Sequence, residues 1–539
     1  MRFGPKMRQP ARSDAAWAIG LSLGWAALLI VAQRDTGFAR DEGFYFRFGQ
    51  MAWQWFAELL HHPHVALTRT SIDAHFGGNF EHPALMKTLF GASEALFHET
   101  LGLTSASTGF RLPGILVSSA AVGLCYQFGA DVAGRRTGLA AALLYATLPR
   151  AFFHAQLAAF DGAVATMWLA VVWAYWRALS RPRWAIICGL LFGLALATKL
   201  NAFFLPPVLL VHWLVHITRG RGDRRSGWVF VAMAVGGPLV LIGHWPWVWT
   251  DTFSRLGQYL SFHLHHHYYN TAYFNRNYNR PPLPPEYAFV LTAFTTPFVT
   301  LALGAAGFAL LCRRQPVEPS ADQSPPQPTH LALLWGLNFL VPLLIIARPK
   351  TPIFGGTKHW LNAMPFLALL GGVALARATQ GLRRPAVALV MALAVAPGAV
   401  DTFHAHPFGL SQYSALAGGV PGAADYGMLR QFWGYPVRPL LPWINQIMPP
   451  ASLVYWHDTN YDSLVTYKQD GLLRPDIRDA GWEEQGVRAS HLALVIHELH
   501  FAKVEMWIWN DYRTATPTRV ESLDGVPLVT VYTRPPGGH

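Results

Sequence analysis

Two adjacent carboxylates, Asp41 and Glu42 in the run RDEGFYFRFG, follow directly on an apolar stretch long enough to cross a membrane. Acids at the mouth of an apolar segment are costly to desolvate, so they are paired or functional. As a functional group, a carboxylate here is a general base that takes the proton of an acceptor hydroxyl or amine. The alternative is a helix N-cap for GFYFRFGQMAWQWFAELL, a position that favours acidic side chains. Adjacent residues can divide these roles. Asp161 in HAQLAAFDGAVATMW heads another apolar stretch with no basic residue close in sequence. It reads either as a cap or as a second acid that holds substrate or orders the base.

Cations near these acids give the complementary chemistry. Lys199 ends LLFGLALATKL, Lys87 follows His82-Pro83 in EHPALMKTLF, and Lys358-His359 sit in GGTKHWLNAMPF. A lysine can hold an anionic phosphate as a point charge. It can equally snorkel from a helix end, the simpler reading for Lys87 and Lys199 taken alone. Gly355-Gly356 before Lys358 would let backbone approach a ligand, which favours function there. The run FHLHHHYYNTAYFNRNYNR gathers His263, His265, His266 and His267 among aromatics. It lacks the cysteine or paired carboxylate of a metal site, so a loop contacting headgroup or sugar is the main reading and a divalent metal the lesser one. Trp245, Trp247 and Trp249 read as an interfacial aromatic belt.

The elements that must carry these groups are membrane helices. Hydrophobic residues make up 52% of the 539 residues and charged residues 13%, about half the charged share of a soluble protein. The net charge of +12 is no nucleic-acid signal, because the basic residues sit in short clusters between apolar spans. The three cysteines fall in or beside spans, and none lies in the polar tail, so no disulfide framework is expected. Spans are expected at 15–32, 111–130, 138–154, 160–178, 184–198, 201–217, 228–245, 288–312, 331–347, 359–377 and 385–401, about eleven helices by the length criterion. The first lacks a small-residue cleavage site and reads as retained.

Basic residues alternate between the loops. Arg2, Lys6, Arg8 and Arg12 place the N-terminus in the cytoplasm. Arg135-Arg136, then Arg177, Arg181 and Arg183, then Arg219 to Arg225, Arg313-Arg314, and finally Arg377, Arg383 and Arg384 mark the inner loops. The outer face then receives 34–110, 245–287, the loop ARPKTPIFGGTKHW and the tail. Residues 315–328, rich in Pro, Ser and Gln, read as a cytoplasmic linker. The tail divides the chain into a transmembrane domain, 1–401, and a small extracytoplasmic α/β domain, 402–539. In it SLVYWH and HLALVIHEL read as strands, DSLVTYKQ and KVEMWIWNDY as helices, and Asp524-Gly525 as a hairpin turn.

The ordered set RDEGFYF, EHPALMK, RLPGILVSSAAVGLCYQFGADVAGRRTGLAAALLYATLP with Asp161 after it, GLLFGLALATKLNAF and GGTKHWLNAMPFLALL resembles glycosyltransferase family 39 of the GT-C class. These are protein O-mannosyltransferases and aminoarabinose transferases, and the resemblance covers residues of about 15–400. The tail resembles a bacterial branch rather than the eukaryotic enzymes with a β-trefoil lumenal loop. The resemblance implies a polytopic helical enzyme of the inner membrane that transfers a sugar, with inversion, from a polyprenyl-phosphate donor to a lipid, glycan or protein acceptor on the outer face. It maps the catalytic base to Asp41, with Glu42 beside it and Asp161 near the same cavity. It maps phosphate or substrate contacts to Lys199, Lys358 and His359, and more loosely to His82, Lys87, Arg47 and His263. It implies no nucleotide and no obvious metal requirement. A flippase or transporter of a lipid-linked substrate is the alternative; it would place ionisable residues deep in the spans, which are nearly free of them.

Overall fold

The computed structural model describes residues 12–219, 224–313 and 328–535. The linker expected at 315–328 therefore lies, but for its last residue, outside the described residues, as do Arg2, Lys6, Arg8, Arg221 and Arg314. Among the described residues, six helices are long and apolar enough to cross a membrane: 13–32, 106–133, 200–218, 224–244, 356–378 and 384–405. Two bent pairs bring the number to eight, and Trp184–Thr198 and His330–Ile346 are shorter apolar helices.

Prolines account for the two breaks that correct the expected spans. The span expected at 138–154 is cut after the helix Arg135–Ala146, and Pro149–Ala155 begins a new one. Pro149 forces Leu148 to an extended backbone, with φ −79° and ψ 118°. The segment Pro149–Ala155 then turns by 108° into Phe160–Ala178. The span expected at 288–312 likewise breaks before Pro297, where Thr296 is extended, and its halves Tyr287–Thr295 and Phe298–Cys312 meet at 117°. The second of these breaks leaves the short helix Tyr287–Thr295 beside the segment Gly356–Ala363 that carries Lys358.

Helix packing in the base relies on close backbone approach, as apolar side chains gain little by leaving lipid for one another. A Cβ on Gly307 would lie 1.8 Å from the Leu370 carbonyl oxygen. That contact is backbone and cannot rotate away, so Gly307→Ala is expected to separate Phe298–Cys312 from Met364–Ala378 at a cost of about 1–3 kcal/mol. A lowered melting temperature of the detergent-solubilised chain checks this.

The segment 34–110, expected on the outer face, is mostly helix. Arg40–His61 is amphipathic rather than apolar, and carries Asp41 and Glu42 in its first turn. The tail holds each of the elements its sequence suggests: strands Leu453–Trp456 and Leu492–Ile496, helices Tyr461–Gln469 and Ala502–Tyr512, and a hairpin of Arg519–Leu523 with Val526–Thr533. Leu453–Trp456 pairs in parallel with both Arg478–Asp479 and Leu492–Ile496, while the hairpin adds antiparallel strands. Alternation sorts the central strand. Leu492, Leu494 and Ile496 join Phe38, Phe46, Phe110 and Phe153 of the base in one apolar cluster. Ala493 and Val495 face the helix Ala502–Tyr512 through Val504 and Ile508. The tail is thus seated directly on the base, and Phe38 stacks on Tyr467 at 4.1 Å.

Candidate active site

A cavity of about 910 Å³ opens where the first turn of Arg40–His61, the turn before Leu85–Glu94, the head of Phe160–Ala178, the 348–359 loop and the tail converge. Asp41, Asp161, Lys199, Lys358, His359, His82 and His263 all line it. Seven residues from six separate stretches of sequence are brought to one place.

Asp41 faces the cavity with its side chain 26% exposed, and Lys358 Nζ lies 3.5 Å from its Oδ2. The carboxylate also sits in the first turn of its helix, where the exposed amides favour negative charge. Asp161, likewise in the first turn of its helix, accepts from Lys199 Nζ at 2.5 Å, and both side chains are nearly buried. Lys199 follows immediately on the helix Trp184–Thr198 and is held by a carboxylate, so the pair replaces the snorkelling reading. Gly355 adopts φ +69°, and a Cβ there would lie 2.4 Å from Lys358 Cε. The glycine expected to admit a ligand instead makes room for the Lys358 side chain itself. His359 Nε2 is bonded to the Phe354 carbonyl at 2.5 Å, which fixes the loop.

Three of the expected site residues do not line the cavity. Glu42 is fully buried and its oxygens accept from Arg111 Nε and Nη2, both at 2.8 Å, and from the Ala39 and Ala158 amides at 2.9 and 2.8 Å. With four donors on two oxygens it has no capacity left for a substrate. Lys87 turns inward and donates to Asn79 O, Asn79 Oδ1 and His82 O at 2.5, 3.2 and 2.9 Å, bracing the turn that presents Glu81 and His82. Arg47 points out toward Asp462 at 3.5 Å.

Charge in the cavity is set by burial. Burial, then the charge of Lys199, holds His82 well below the ordinary imidazole range. Burial pushes His263 down to about 4. Both are therefore neutral at pH 7 and offer hydrogen bonds rather than positive charge. Burial, then Asp41, raises Glu81. Burial, then Asp41, Asp161 and Glu81, raises the Tyr45 phenol, which stays a donor among three carboxyl groups. From the tail, Asp458 accepts from Arg40 Nη1 at 2.5 Å. Burial followed by the Asp458 charge pushes the Glu498 carboxyl well up.

Glu81, Tyr45, Arg348, Lys350, Trp433, Asp458 and Glu498 line the cavity and were not singled out by sequence. Glu81 stands beside His82 in the EHP run, and Arg348 and Lys350 in the run ARPKTPIFGGTKHW that holds Lys358, so adjacency was a usable signal for those. The tail residues gave none: Arg40 and Asp458 are 418 positions apart. Arg348 and Lys350 have no ion-pair partner among the described residues. They follow Pro342, Ile345 and Ile346, which with Leu200, Phe203 and Phe204 form an apolar wall. Among the described residues no three His, Cys, Asp or Glu side chains converge to hold a metal ion. Of the histidine run, His263 bonds the Glu81 carbonyl at 2.9 Å, His266 stacks on Phe354, and His265 and His267 are exposed.

These features define a polytopic membrane protein of the GT-C fold with a small sheet-containing C-terminal part. Residues 82–247 match the family model for dolichyl-phosphate-mannose-protein mannosyltransferase. ArnT from Cupriavidus metallidurans bound to undecaprenyl phosphate matches with a TM-score of 0.50 at 16% identity, over 97% of this chain and 98% of that one. Its apo form matches with a TM-score of 0.51 at 15% identity, over 96% and 98%. The Archaeoglobus fulgidus oligosaccharyltransferase in its apo form matches with a TM-score of 0.50 at 11% identity, over 91% of this chain and 71% of that one. Comparison with curated proteins returned no match. The resemblance read from the sequence is borne out by the family model and by the fold.

Proposed function

We propose that the chain is an integral-membrane glycosyltransferase that moves a sugar from a polyprenyl-phosphate carrier to an acceptor at the outer face of the membrane, with inversion. The observation that carries this reading is the two-part character of one cavity. It is lined both by carboxylates paired with cations, Asp41 with Lys358 and Asp161 with Lys199, and by an apolar wall with the cations Arg348 and Lys350. An amphipathic donor, with a lipid tail, a phosphate and a sugar, matches that division. The fold relative from Cupriavidus metallidurans holds undecaprenyl phosphate, which agrees with it.

Asp41 takes the proton of the acceptor hydroxyl or amine as that atom bonds to the anomeric carbon. The bond from the anomeric carbon to the phosphate oxygen breaks, and the carrier leaves as polyprenyl phosphate. Asp161 holds Lys199, and Lys358 stands between the base and the leaving phosphate. Glu42 positions the base from behind through Arg111 rather than touching substrate. The N-terminus is assigned to the cytoplasm and residues 402–539 to the far side, as an extracytoplasmic domain of a bacterial inner-membrane protein.

The test is transfer of labelled sugar from synthetic polyprenyl-phosphate sugars by the purified chain in lipid nanodiscs, with the anomeric configuration of the product read by NMR. Retention at the anomeric carbon would remove Asp41 as a simple base. Movement of the donor across the bilayer without bond formation would favour a flippase instead. Replacing Arg348 and Lys350 together by Ala is expected to raise the donor KM by about tenfold or more, equivalent to about 1.4 kcal/mol. The acceptor KM is expected to stay within about twofold. Unchanged donor KM would move phosphate binding to Lys358 and Lys199.

A further inference from the structure

Lys358 is 6% exposed, and three aromatic rings surround its ammonium. Nζ lies 4.0 Å from the ring centre of Trp433, 5.1 Å from Phe354 and 5.8 Å from Phe432. The nearest ring comes from the C-terminal part of the chain, and the fourth neighbour is Asp41 at 3.5 Å. Aromatic faces attract a cation without neutralising it or competing for its hydrogen bonds. The cage therefore holds the ammonium in place and leaves its N–H groups for Asp41 and an incoming oxyanion.

The same segment grips the base from its other side. The Trp433 carbonyl accepts from the Arg40 amide at 2.7 Å, one residue before Asp41. The Arg40 guanidinium is clamped by Asp458. Trp433 and Asp458 both adopt left-handed backbone, with φ 78° and 55°. Non-glycine residues hold such conformations only where their surroundings over-determine them, and these cluster at functional sites. Here both strained residues flank Asp41, one through Lys358 and the amide of Arg40, the other through the Arg40 side chain.

Resting on the glycosyltransferase reading above, we infer that Trp433 is a positioning residue: through it the C-terminal part of the chain sets Lys358 against Asp41. Its packing alone would make it merely structural, so the test reads Lys358 directly. The full chain in nanodiscs, without substrate, is trace-labelled with acetic anhydride, and each lysine is quantified by mass spectrometry. Lys358 is expected to label slowly in the wild type and in Trp433→Phe, and at least tenfold faster in Trp433→Leu. Exposed Lys503 stays fast and buried Lys87 stays slow throughout.

With a sugar donor, Trp433→Leu is expected to lower kcat about tenfold with donor KM within about threefold, and Trp433→Phe to restore most of the loss. Trp433→Leu added to Lys358→Met is expected to cost nothing further, because coupled residues are non-additive. Equal Lys358 labelling in wild type and Trp433→Leu overturns the inference, as do fully additive losses in the double variant. Phe432→Leu removes the most distant wall and gives the same labelling change at lower amplitude, which covers a Trp433→Leu chain that fails to fold. A wild-type chain that transfers no sugar from any polyprenyl phosphate would defeat the glycosyltransferase reading, while the labelling result still decides the cage.

Discussion

Asp41→Asn is expected to lower kcat for sugar transfer by about 10²–10⁴-fold, the usual contribution of a positioned base, with the protein folded as before. The substitution keeps size and shape while removing the ability to take a proton. Asp41 is held less tightly than Asp161 or Glu42. Its side chain is 26% exposed, and its ion-pair contact among the described residues, to Lys358, is 3.5 Å. Lys358 keeps its three aromatic neighbours when that contact weakens. Asp161→Asn is a different experiment, since it strips a nearly buried Lys199 of its 2.5 Å partner and is expected to cost stability as well as rate. The measurement is kcat in nanodiscs beside the melting temperature of each variant. An Asp41→Asn protein that melts normally and retains kcat within threefold of wild type would remove Asp41 from the base role.

Much of this candidate site was legible because each ionisable side chain stood out against an apolar background. Asp41, Asp161, Lys199 and Lys358 are conspicuous in runs such as LALATKL and AAFDGAV. Span positions followed from hydropathy, yet the two proline breaks did not, since the apolar runs expected at 138–154 and 288–312 continue across Pro149 and Pro297. The tail elements were legible from alternation, because strand 492–496 is covered on both faces by different partners. Placement of the side chains was not. Glu42 and Asp41 are neighbours in sequence, yet successive helical residues point about 100° apart, so one faces the cavity and the other Arg111. Arg111 itself stood unremarked in RLPGILV, and the contribution of Trp433 and Asp458 required the tail to be seated on the base.

The division within the acidic pair leads to an expectation of the opposite kind: Arg111→Met is expected to destabilise the first turn of Arg40–His61 by about 3–5 kcal/mol, the cost of leaving a buried charge without its partner. Both side chains are 0% exposed. Arg111 donates not only to Glu42 but to the Gln33, Thr36 and Gly37 carbonyls at 2.9, 3.0 and 2.9 Å. It therefore ties the end of the first helix, the connecting turn and the start of Arg40–His61 into one unit. Glu42 adds the Ala158 amide from the bend before Phe160–Ala178. Breaking this hub leaves Glu42 buried and charged, and frees three carbonyls that no water reaches. The loss is local, so amide hydrogen exchange over residues 33–42 is the sensitive readout, with protection expected to fall about 10²–10⁴-fold, as 1.4 kcal/mol is tenfold. Activity falls too, although neither residue touches substrate, because Asp41 rides on the same helical turn. Replacing both partners, Arg111→Met with Glu42→Leu, removes the stranded charge and is expected to recover part of the protection but not the activity. If the double variant were less protected than Arg111→Met alone, the buried charge would not be the source of the loss, and the three carbonyls would carry it instead.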